Sequence, residues 1–248
     1  MRYSGSKRRF MKQLTPILME HANEDTIFVD CFCGGANVIS EIPLKNKVGI
    51  EVNRPIVELW KHLQSEGMEG IPYDLSESDY NEIKFDYLNG CTSFPGWLIG
   101  YAGACCSYGG AWFNGYARYN PKKGESHIHE AYNGLKAHIE RFKFLETTEF
   151  VNTDYLIYQY PSPDKCIIYC DPPYAGRKRY ASDFDNYMFW DWVRQMSKEG
   201  YIIYVSEYEA PYDFKCVWSQ EKKDGMGTTL EGKKQKYVTE KLFIYDKK

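Results

Sequence analysis

The stretch "IIYCDPPYAGRKRY" at residues 167–180 ends an apolar run with an aspartate, two prolines and a tyrosine. A proline disfavours the α conformation in the residue before it and fixes its own φ, so Asp171-Pro172-Pro173 is predicted to be stiffly extended after a strand. The Asp171 carboxylate and the Pro172 carbonyl can then accept both hydrogens of one amino group. Because the Tyr174 ring offers a stacking surface for a planar base, these four residues form a candidate clamp for an aromatic amine.

The clamp also indicates a chemistry. The lone pair of an aromatic amine is delocalised into its ring, which makes the nitrogen a poor nucleophile. Acceptors on both hydrogens would draw the nitrogen towards tetrahedral geometry as it attacks, so catalysis would be orientational and electrostatic, without a covalent intermediate. A Pro-Pro turn that merely ends a strand is the alternative interpretation.

A second motif, "FVDCFCGGANV" at residues 28–38, places Asp30 after a strand and a glycine pair at the start of a helix. Alone, the Gly34-Gly35 turn is equally consistent with a structural turn and with close approach of a ligand. Glu51 ends the next strand and follows Gly35 by 16 residues, close to the offset at which a carboxylate meets a ribose. The third glycine of a dinucleotide site is missing, so a nucleoside without a pyrophosphate, such as S-adenosylmethionine, fits better than NAD.

Predicted strands and predicted helices alternate along the chain. This alternation predicts an α/β fold with a mostly parallel sheet that holds these motifs. Amphipathic helices are predicted at 7–20, 54–66 and 186–199. Short β-branched or aromatic runs predict six strands: "TIFVDC" (26–31), "KVGIE" (47–51), "CIIYC" (166–170), "YIIYVSEY" (201–208), "CVWS" (216–219) and "EKLFIY" (240–245).

The stretch 74–146 interrupts that alternation. It is rich in aromatic residues between Tyr80 and Tyr119, and glycines are interleaved in "YAGACCSYGGAWFNGYARYNPKKG". This composition favours aromatic-bearing loops over long regular elements. Some rings would form a small core, and exposed ones could stack on bases. We therefore expect residues 1–73 and 147–248 to form one domain and 74–146 to be an insertion packed on it.

Composition narrows the function classes. No run of residues is long and apolar enough to span a bilayer, and residues 1–14 lack the apolar core of a signal peptide, so we expect a cytoplasmic protein. The eight cysteines include no C-x-x-C pair, and the "HIH" at 127–129 has no further ligand at matching spacing. No metal site is therefore predicted.

The net charge of −3 does not favour a nucleic-acid partner, yet the basic residues are clustered. The first twelve residues carry five basic side chains and no acid. Two further clusters lie at 177–179 and 233–236. Each cluster alone could be a solvated face, but three of them flanking the candidate clamp favour a polyanionic partner.

In this order, the motifs resemble those of the Dam-type, or D12 class, DNA adenine-N6 methyltransferases. The resemblance rests on "RYSGSK" (2–7), "DCFCGG" (30–35) and "DPPY" (171–174), and extends to "IEVNRPIVEL" (50–59), "WFNGYAR" (112–118), "FVNTDY" (150–155) and "KYVTEKLFIY" (236–245). Ala36 and Ser6 stand where the family often has glycine.

The resemblance implies a Rossmann-like methyltransferase sheet in which 74–146 is a small target-recognition region. Asp171, Pro172 and Tyr174 would hold the target adenine, with Pro173 stiffening the clamp. S-adenosylmethionine would be bordered by Tyr3, Lys7, Asp30, Phe32, Gly34, Gly35, Glu51, Asn53, Asp154 and Asp171. Candidate DNA contacts are Arg118, Lys122, Arg177 and Arg179.

The resulting hypothesis is site-specific methyl transfer to adenine N6 in double-stranded DNA by base flipping, with a cognate restriction nuclease as a candidate partner. One alternative keeps the chemistry and changes the acceptor to cytosine N4, an RNA adenine or a protein glutamine. Another is a non-catalytic DNA-binding protein that retains the cofactor pocket. Asp171 favours adenine by the family resemblance, and the intact clamp favours catalysis.

Overall fold

A computed structural model describes residues 1, 3, 5–119, 124, 126–173, 184–223 and 237–246 of the chain. Four of the predicted site residues lie outside these ranges: Lys122, Tyr174, Arg177 and Arg179.

The centre of the fold is one sheet in which seven strands follow the order β3-β2-β1-β4-β5-β7-β6. The strands are β1 Ile27–Asp30, β2 Asn46–Glu51, β3 Thr148–Asn152, β4 Cys166–Cys170, β5 Ile202–Glu207, β6 Phe214–Lys223 and β7 Tyr237–Tyr245. The first five pair in parallel, and β7 lies antiparallel to β5 and β6. This is the mostly parallel α/β sheet that the sequence predicts.

The central strands form from apolar runs because both of their faces are buried. All five residues of β4, "CIIYC", are buried, as expected for a strand that is covered on both faces. From β1 the chain moves outward to β2 and β3, and it later returns to add β4 on the other side of β1. The strand order therefore reverses between β1 and β4, where open α/β sheets bind their ligands.

All six predicted strands are present, whereas β3 was not predicted as a strand. The predicted helices correspond to α1 Met11–Leu18, preceded by a 3₁₀ turn, α2 Arg54–Ser65 and, later in the chain, Asn186–Lys198. The described residues contain no helix with the length and apolar character needed to cross a membrane.

The 74–146 stretch is more helical than its composition predicts. It contains the helices α3 Glu77–Leu88, α4 Gly96–Gly100 and α5 His127–Phe142. A π-helical turn, Tyr101–Cys105, extends α4. The later helix Asn186–Lys198 is therefore numbered α6. The prediction of loops is wrong at these places. In α4 and its π-helical extension, tertiary contacts override the low helix propensity of glycine and aromatic residues.

A contact between α4 and α2 shows this packing. The Gly100 backbone approaches α2 so closely that a Cβ atom on Gly100 would lie 2.2 Å from the Pro55 carbonyl oxygen. Tyr80, Tyr101 and Phe113 are buried in the same cluster as Trp60 of α2. The 74–146 stretch is thus packed on the rest of the chain.

Candidate active site

The two predicted motifs meet at the carboxyl edge of the sheet. Asp30 ends β1 and Asp171 immediately follows β4, the strand beside it, with Asp30 in register with Tyr169. The Cys31 amide donates a hydrogen bond of 2.9 Å to the Tyr169 carbonyl, so the pairing continues past the end of β1. The β1–β4 pairing thus places the cofactor motif beside the clamp.

The carboxylate of Asp171 is held by a buried cation. Lys7 Nζ donates to Asp171 Oδ1 at 2.7 Å and to Oδ2 at 2.8 Å, and it also lies 3.1 Å from the Gly5 carbonyl oxygen. The Lys7 side chain is 3% exposed and that of Asp171 is 21% exposed. The family resemblance implies that Lys7 borders the cofactor, and its ammonium contacts Asp171, which the same resemblance places at both the cofactor and the target base. A carboxylate has about four lone-pair positions, so two stay available on Asp171.

The glycine loop is fixed at both backbone groups of Gly34, which adopts φ +43°. The Gly34 amide donates to Glu51 Oε2 at 3.0 Å, and the Gly34 carbonyl accepts from Trp60 Nε1 at 2.8 Å. The predicted proximity of the glycine pair and Glu51 is therefore present as a hydrogen bond. Trp60 was not predicted, because its place on an amphipathic helix signals burial and not the hydrogen bond it donates.

Tyr3 lies directly on this loop. A Cβ atom would lie 2.6 Å from Tyr3 Cε1 if added to Gly34, and 2.5 Å from Tyr3 Cβ if added to Gly35. Because real Cβ contacts are not this short, glycine at both positions permits the approach. The next residue, Ala36, adopts φ +52°, a conformation that glycine adopts more easily.

Burial changes the acidity of the two carboxylates nearest the loop. It raises the pKa of Asp30 to about 8, helped by the negative charges of Asp171 and Glu51 and opposed by a hydrogen bond from the Phe32 amide. Burial likewise raises the pKa of Glu51, against the hydrogen bonds that its carboxylate accepts from the Asn53 and Gly34 amides. Both groups would ionise more readily beside a bound cation.

Asn53 and Phe32 line the same edge. The Asn53 amide donates to Glu51 Oε1 at 2.8 Å, and the buried Oδ1 of Asn53 has no hydrogen-bond partner among the described residues. The Phe32 ring packs against Tyr155, Phe184 and Phe189 at centroid distances of 5.3–5.9 Å. Asn53 Oδ1 is thus an unused acceptor that is shielded from solvent, whereas the Phe32 ring packs in an aromatic cluster.

The ends of β2 and β3 add an apolar surface that sequence reasoning missed. Val52 follows β2, and Leu156 and Ile157 lie shortly after β3; they are 63%, 41% and 75% exposed. Asp154, predicted to border the cofactor, accepts a hydrogen bond from the Leu156 amide at 2.8 Å and thereby shapes this turn. Exposed apolar side chains beside Glu51 suit a flat, apolar ring system.

The residues present fit S-adenosylmethionine. Its adenine would find the apolar side chains, its ribose would find Glu51, and its positive charges would face Asp30 and Asp171. No group of three or more metal-ligating side chains occurs in the described part of the chain. Of the "HIH" pair, His127 contacts Glu130 and His129 contacts Asp74.

The predicted DNA contacts are only partly described. Arg118 makes two hydrogen bonds to Glu77, at 2.6 and 3.0 Å, and its side chain is 77% exposed. Close to Lys7, a cleft of about 630 Å³ is lined by Ser6, Arg8, Arg9, Met11, Lys12 and Glu41. It carries three cations against one acid and suits an anionic partner.

Solved structures with loosely similar folds include three from methyltransferase studies. The Escherichia coli protein yhhF, described as a methyltransferase, is 13% identical with a TM-score of 0.37, covering 100% of this chain and 92% of that chain. A protein described as an RNA methyltransferase, PH1948 of Pyrococcus horikoshii, is 11% identical with a TM-score of 0.39, covering 98% and 91%. Precorrin-6y C5,15-methyltransferase of Geobacter metallireducens is 9% identical with a TM-score of 0.38, covering 93% and 87%. We draw nothing from likenesses this loose, and no curated protein matches the chain.

The family itself is shown by sequence. A family model described as D12 class N6 adenine-specific DNA methyltransferase matches residues 3–214, most of the chain. The match takes in Tyr3, Lys7, the glycine loop, Glu51 and the Asp171 clamp. With these residues gathered at one edge of a mostly parallel sheet, the chain belongs to the D12 class of N6 adenine-specific DNA methyltransferases, with S-adenosylmethionine as methyl donor.

Proposed function

We propose that the clamp 171–174 holds an adenine flipped out of duplex DNA and that the methyl group passes directly to its N6 nitrogen. The observation that carries this proposal is the position of Asp171, fixed by Lys7 at the β1–β4 edge and next to the glycine loop. A base inside a duplex cannot reach such an edge, so flipping is required, at a cost of a few kcal/mol.

The site residues would divide the work as follows. When bound, S-adenosylmethionine supplies an electrophilic methyl group on a sulfonium sulfur. The adenine N6 lone pair would form the new C–N bond as the C–S bond breaks, and the electrons of the C–S bond would stay on sulfur. The nitrogen then releases one proton to water. Asp171 and the Pro172 carbonyl would each accept a hydrogen bond from one N6 hydrogen. Pro173 would stiffen the clamp, and Tyr174 would stack on the base.

The cofactor side is assigned in the same way. Glu51, which accepts a hydrogen bond from the Asn53 amide, would meet the ribose. Gly34 and Gly35 would let the cofactor approach the backbone, and Asp30 would face a positive charge. Phe32, Tyr3 and Asp154 would shape the walls of the pocket. Lys7 would serve it by orienting Asp171, which borders both substrates.

DNA would be held by cations on two parts of the molecule. The 74–146 insertion would read the target sequence, with Arg118 and Lys122 as contacts, and Arg177 and Arg179 would contact the backbone behind the clamp. Arg118 would have to exchange Glu77 for DNA. The cleft formed by Arg8, Arg9 and Lys12 provides a further phosphate contact beside the active site.

Labelling tests the acceptor directly. The protein is incubated with mixed-sequence duplex DNA and isotopically labelled S-adenosylmethionine, and the digested nucleosides are identified by mass spectrometry, with Asp171→Ala alongside. We expect label in N6-methyladenine, reduced at least a hundredfold by the substitution. Label in N4-methylcytosine would establish the N4 alternative. Cofactor binding without label on DNA would direct attention to RNA or protein, and absence of cofactor binding would favour the non-catalytic alternative.

Base flipping has its own readout. A duplex carrying 2-aminopurine in place of the target adenine becomes more fluorescent when that base leaves the stack. Enhanced fluorescence on binding would support flipping, and unchanged fluorescence in a bound complex would contradict it. A cytoplasmic location and a cognate restriction nuclease are further predictions that accompany this proposal.

A further inference from the structure

A buried carboxylate that the proposed mechanism does not use lies behind the catalytic pair. Glu240 Oε2 is 3.8 Å from Lys7 Nζ, and the Glu240 side chain is 1% exposed. Glu240 stands on β7, and its other oxygen pairs with Lys222 of the neighbouring strand β6. It lies beyond the residues 3–214 matched by the family model.

These side chains form a row of alternating charge. Asp171 meets Lys7, Lys7 meets Glu240, and Glu240 meets Lys222, so two positive and two negative charges balance. Lys7 and Glu240 are both almost fully buried, where charges interact more strongly than they do in water. Glu240 thus opposes the positive charge of Lys7 immediately behind Asp171.

We propose that Glu240 is a positioning residue for methyl transfer, acting through Lys7 to keep the active site from becoming too positive. The inference rests on the proposed function. In the reaction, positive charge moves from sulfur towards the adenine N6 nitrogen, beside Asp171. With Glu240 neutral, Lys7 would cancel more of the Asp171 charge, and both the bound sulfonium and the attacked nitrogen would be less stable.

The matched pair Glu240→Gln and Lys222→Met separates this role from a structural one. Glu240→Gln makes the row one unit more positive, whereas Lys222→Met breaks the same β6–β7 ion pair and makes the row one unit more negative. A loss that comes from the broken ion pair would appear in both variants. A loss that comes from charge at Lys7 would appear in Glu240→Gln alone.

Calorimetry provides a readout that is independent of turnover. S-adenosylmethionine carries the sulfonium charge, and its product S-adenosylhomocysteine does not. We expect Glu240→Gln to lower the affinity ratio of S-adenosylmethionine to S-adenosylhomocysteine by on the order of tenfold, the size expected for a unit charge acting across roughly 10 Å at an effective dielectric constant of about 20. In Lys222→Met the ratio should be unchanged or higher.

Kinetics should follow the same pattern. We expect kcat in Glu240→Gln to fall about tenfold with KM for DNA within about twofold, and Lys222→Met to keep its kcat. An unchanged affinity ratio in Glu240→Gln, or equal losses in both variants, would overturn the proposal. If Glu240→Gln does not fold, the double variant is compared with Lys222→Met, where the same drop in ratio is expected and its absence is decisive.

The outcome can be told apart from failure of the proposed function. If Asp171→Ala methylates DNA normally, the clamp assignment fails, whatever Glu240 does. If Asp171→Ala is inactive and the affinity ratio does not respond to Glu240→Gln, the clamp stands and the inference about Glu240 falls.

Discussion

Asp30 and Asp171 lie at the ends of neighbouring strands, and their different surroundings predict different roles. Asp171 is paired with the Lys7 ammonium, which fixes its two oxygens and leaves acceptor positions for a substrate. Asp30 is almost fully buried, and its pKa is raised to about 8. We therefore expect Asp171 to act as a ready acceptor and Asp30 to give up its proton when a cationic cofactor arrives.

The raised pKa of Asp30 predicts how stability depends on pH. The native state keeps a proton on Asp30 up to about pH 8, whereas the unfolded chain loses it near its ordinary value of 3.8. Because the native state binds more protons in this window, the free energy of unfolding should fall as pH rises from about 4 to about 8. Asp30→Asn should flatten that slope in urea denaturation of the cofactor-free protein between pH 6 and pH 8.

A surface aspartate provides the control for this experiment. Asp164 is exposed, and a hydrogen bond from Ser162 lowers its pKa, so it does not titrate between pH 6 and pH 8. Asp164→Asn should therefore leave the slope as it is in the wild type. An Asp30→Asn variant with the wild-type slope would show that Asp30 is ionised in the folded protein.

At the scale of elements, two helical glycines differ in how closely other parts of the chain pack against them. Gly100 on α4 lies against the Pro55 carbonyl of α2, and a methyl group there would force the two helices apart. Gly134 lies inside α5, and apart from the adjoining backbone of its own helix no atom lies within 4 Å of an added Cβ. The same substitution should therefore have opposite effects at these two positions.

We expect Gly100→Ala to lower the free energy of unfolding by roughly 1–3 kcal/mol, the usual cost of overpacking. Gly134→Ala should raise it by roughly 0.5–1 kcal/mol, because alanine loses less conformational freedom in a helix. Denaturant titration of both variants checks the pair. Equal shifts of the same sign would contradict the close contact between α2 and α4.

Elements with a clear period were predictable, and those that depend on their neighbours were not. Strand β4 and helix α2 are predicted from apolar runs and spacing alone, and the strand ends then locate Asp30, Glu51 and Asp171. Helix α4 and its π-helical extension were missed because their glycine and aromatic residues become helical through packing on α2, whereas α3 and α5 begin at serine caps that were overlooked. The pairing of Lys7 with Asp171 spans 164 residues and leaves no local signal in the sequence.

For the whole molecule, the net charge of −3 does not show that the basic residues are clustered. The cleft with Arg8, Arg9 and Lys12 is also lined by Ser6, so two of its residues flank Lys7 in the sequence, and Lys7 contacts Asp171 at the carboxyl edge of the sheet. Phosphate contacts release counterions, and each one adds to the salt dependence of DNA binding. The overall acidity of the chain therefore does not oppose a DNA substrate.

Salt titration of DNA binding tests the cleft. Arg9→Ala and Lys12→Ala should each weaken binding similarly for all sequences and reduce the slope of log affinity against log salt by about 1. Lys165→Ala is the control, because Lys165 precedes β4 at the opposite edge of the sheet and is exposed. Slopes that stay at the wild-type value in both cleft variants would exclude the cleft from the interface.

The row from Asp171 through Lys7 to Glu240 also has a consequence for biosynthesis. Glu240 lies on β7, 69 residues after Asp171, so a ribosome translates Lys7 and Asp171 well before Glu240. A nascent chain that ends before β7 contains Lys7 and Asp171 but lacks Glu240. We expect full methylating activity only when β7 has been synthesised and has joined the sheet, so that chains terminated before β7 do not methylate DNA.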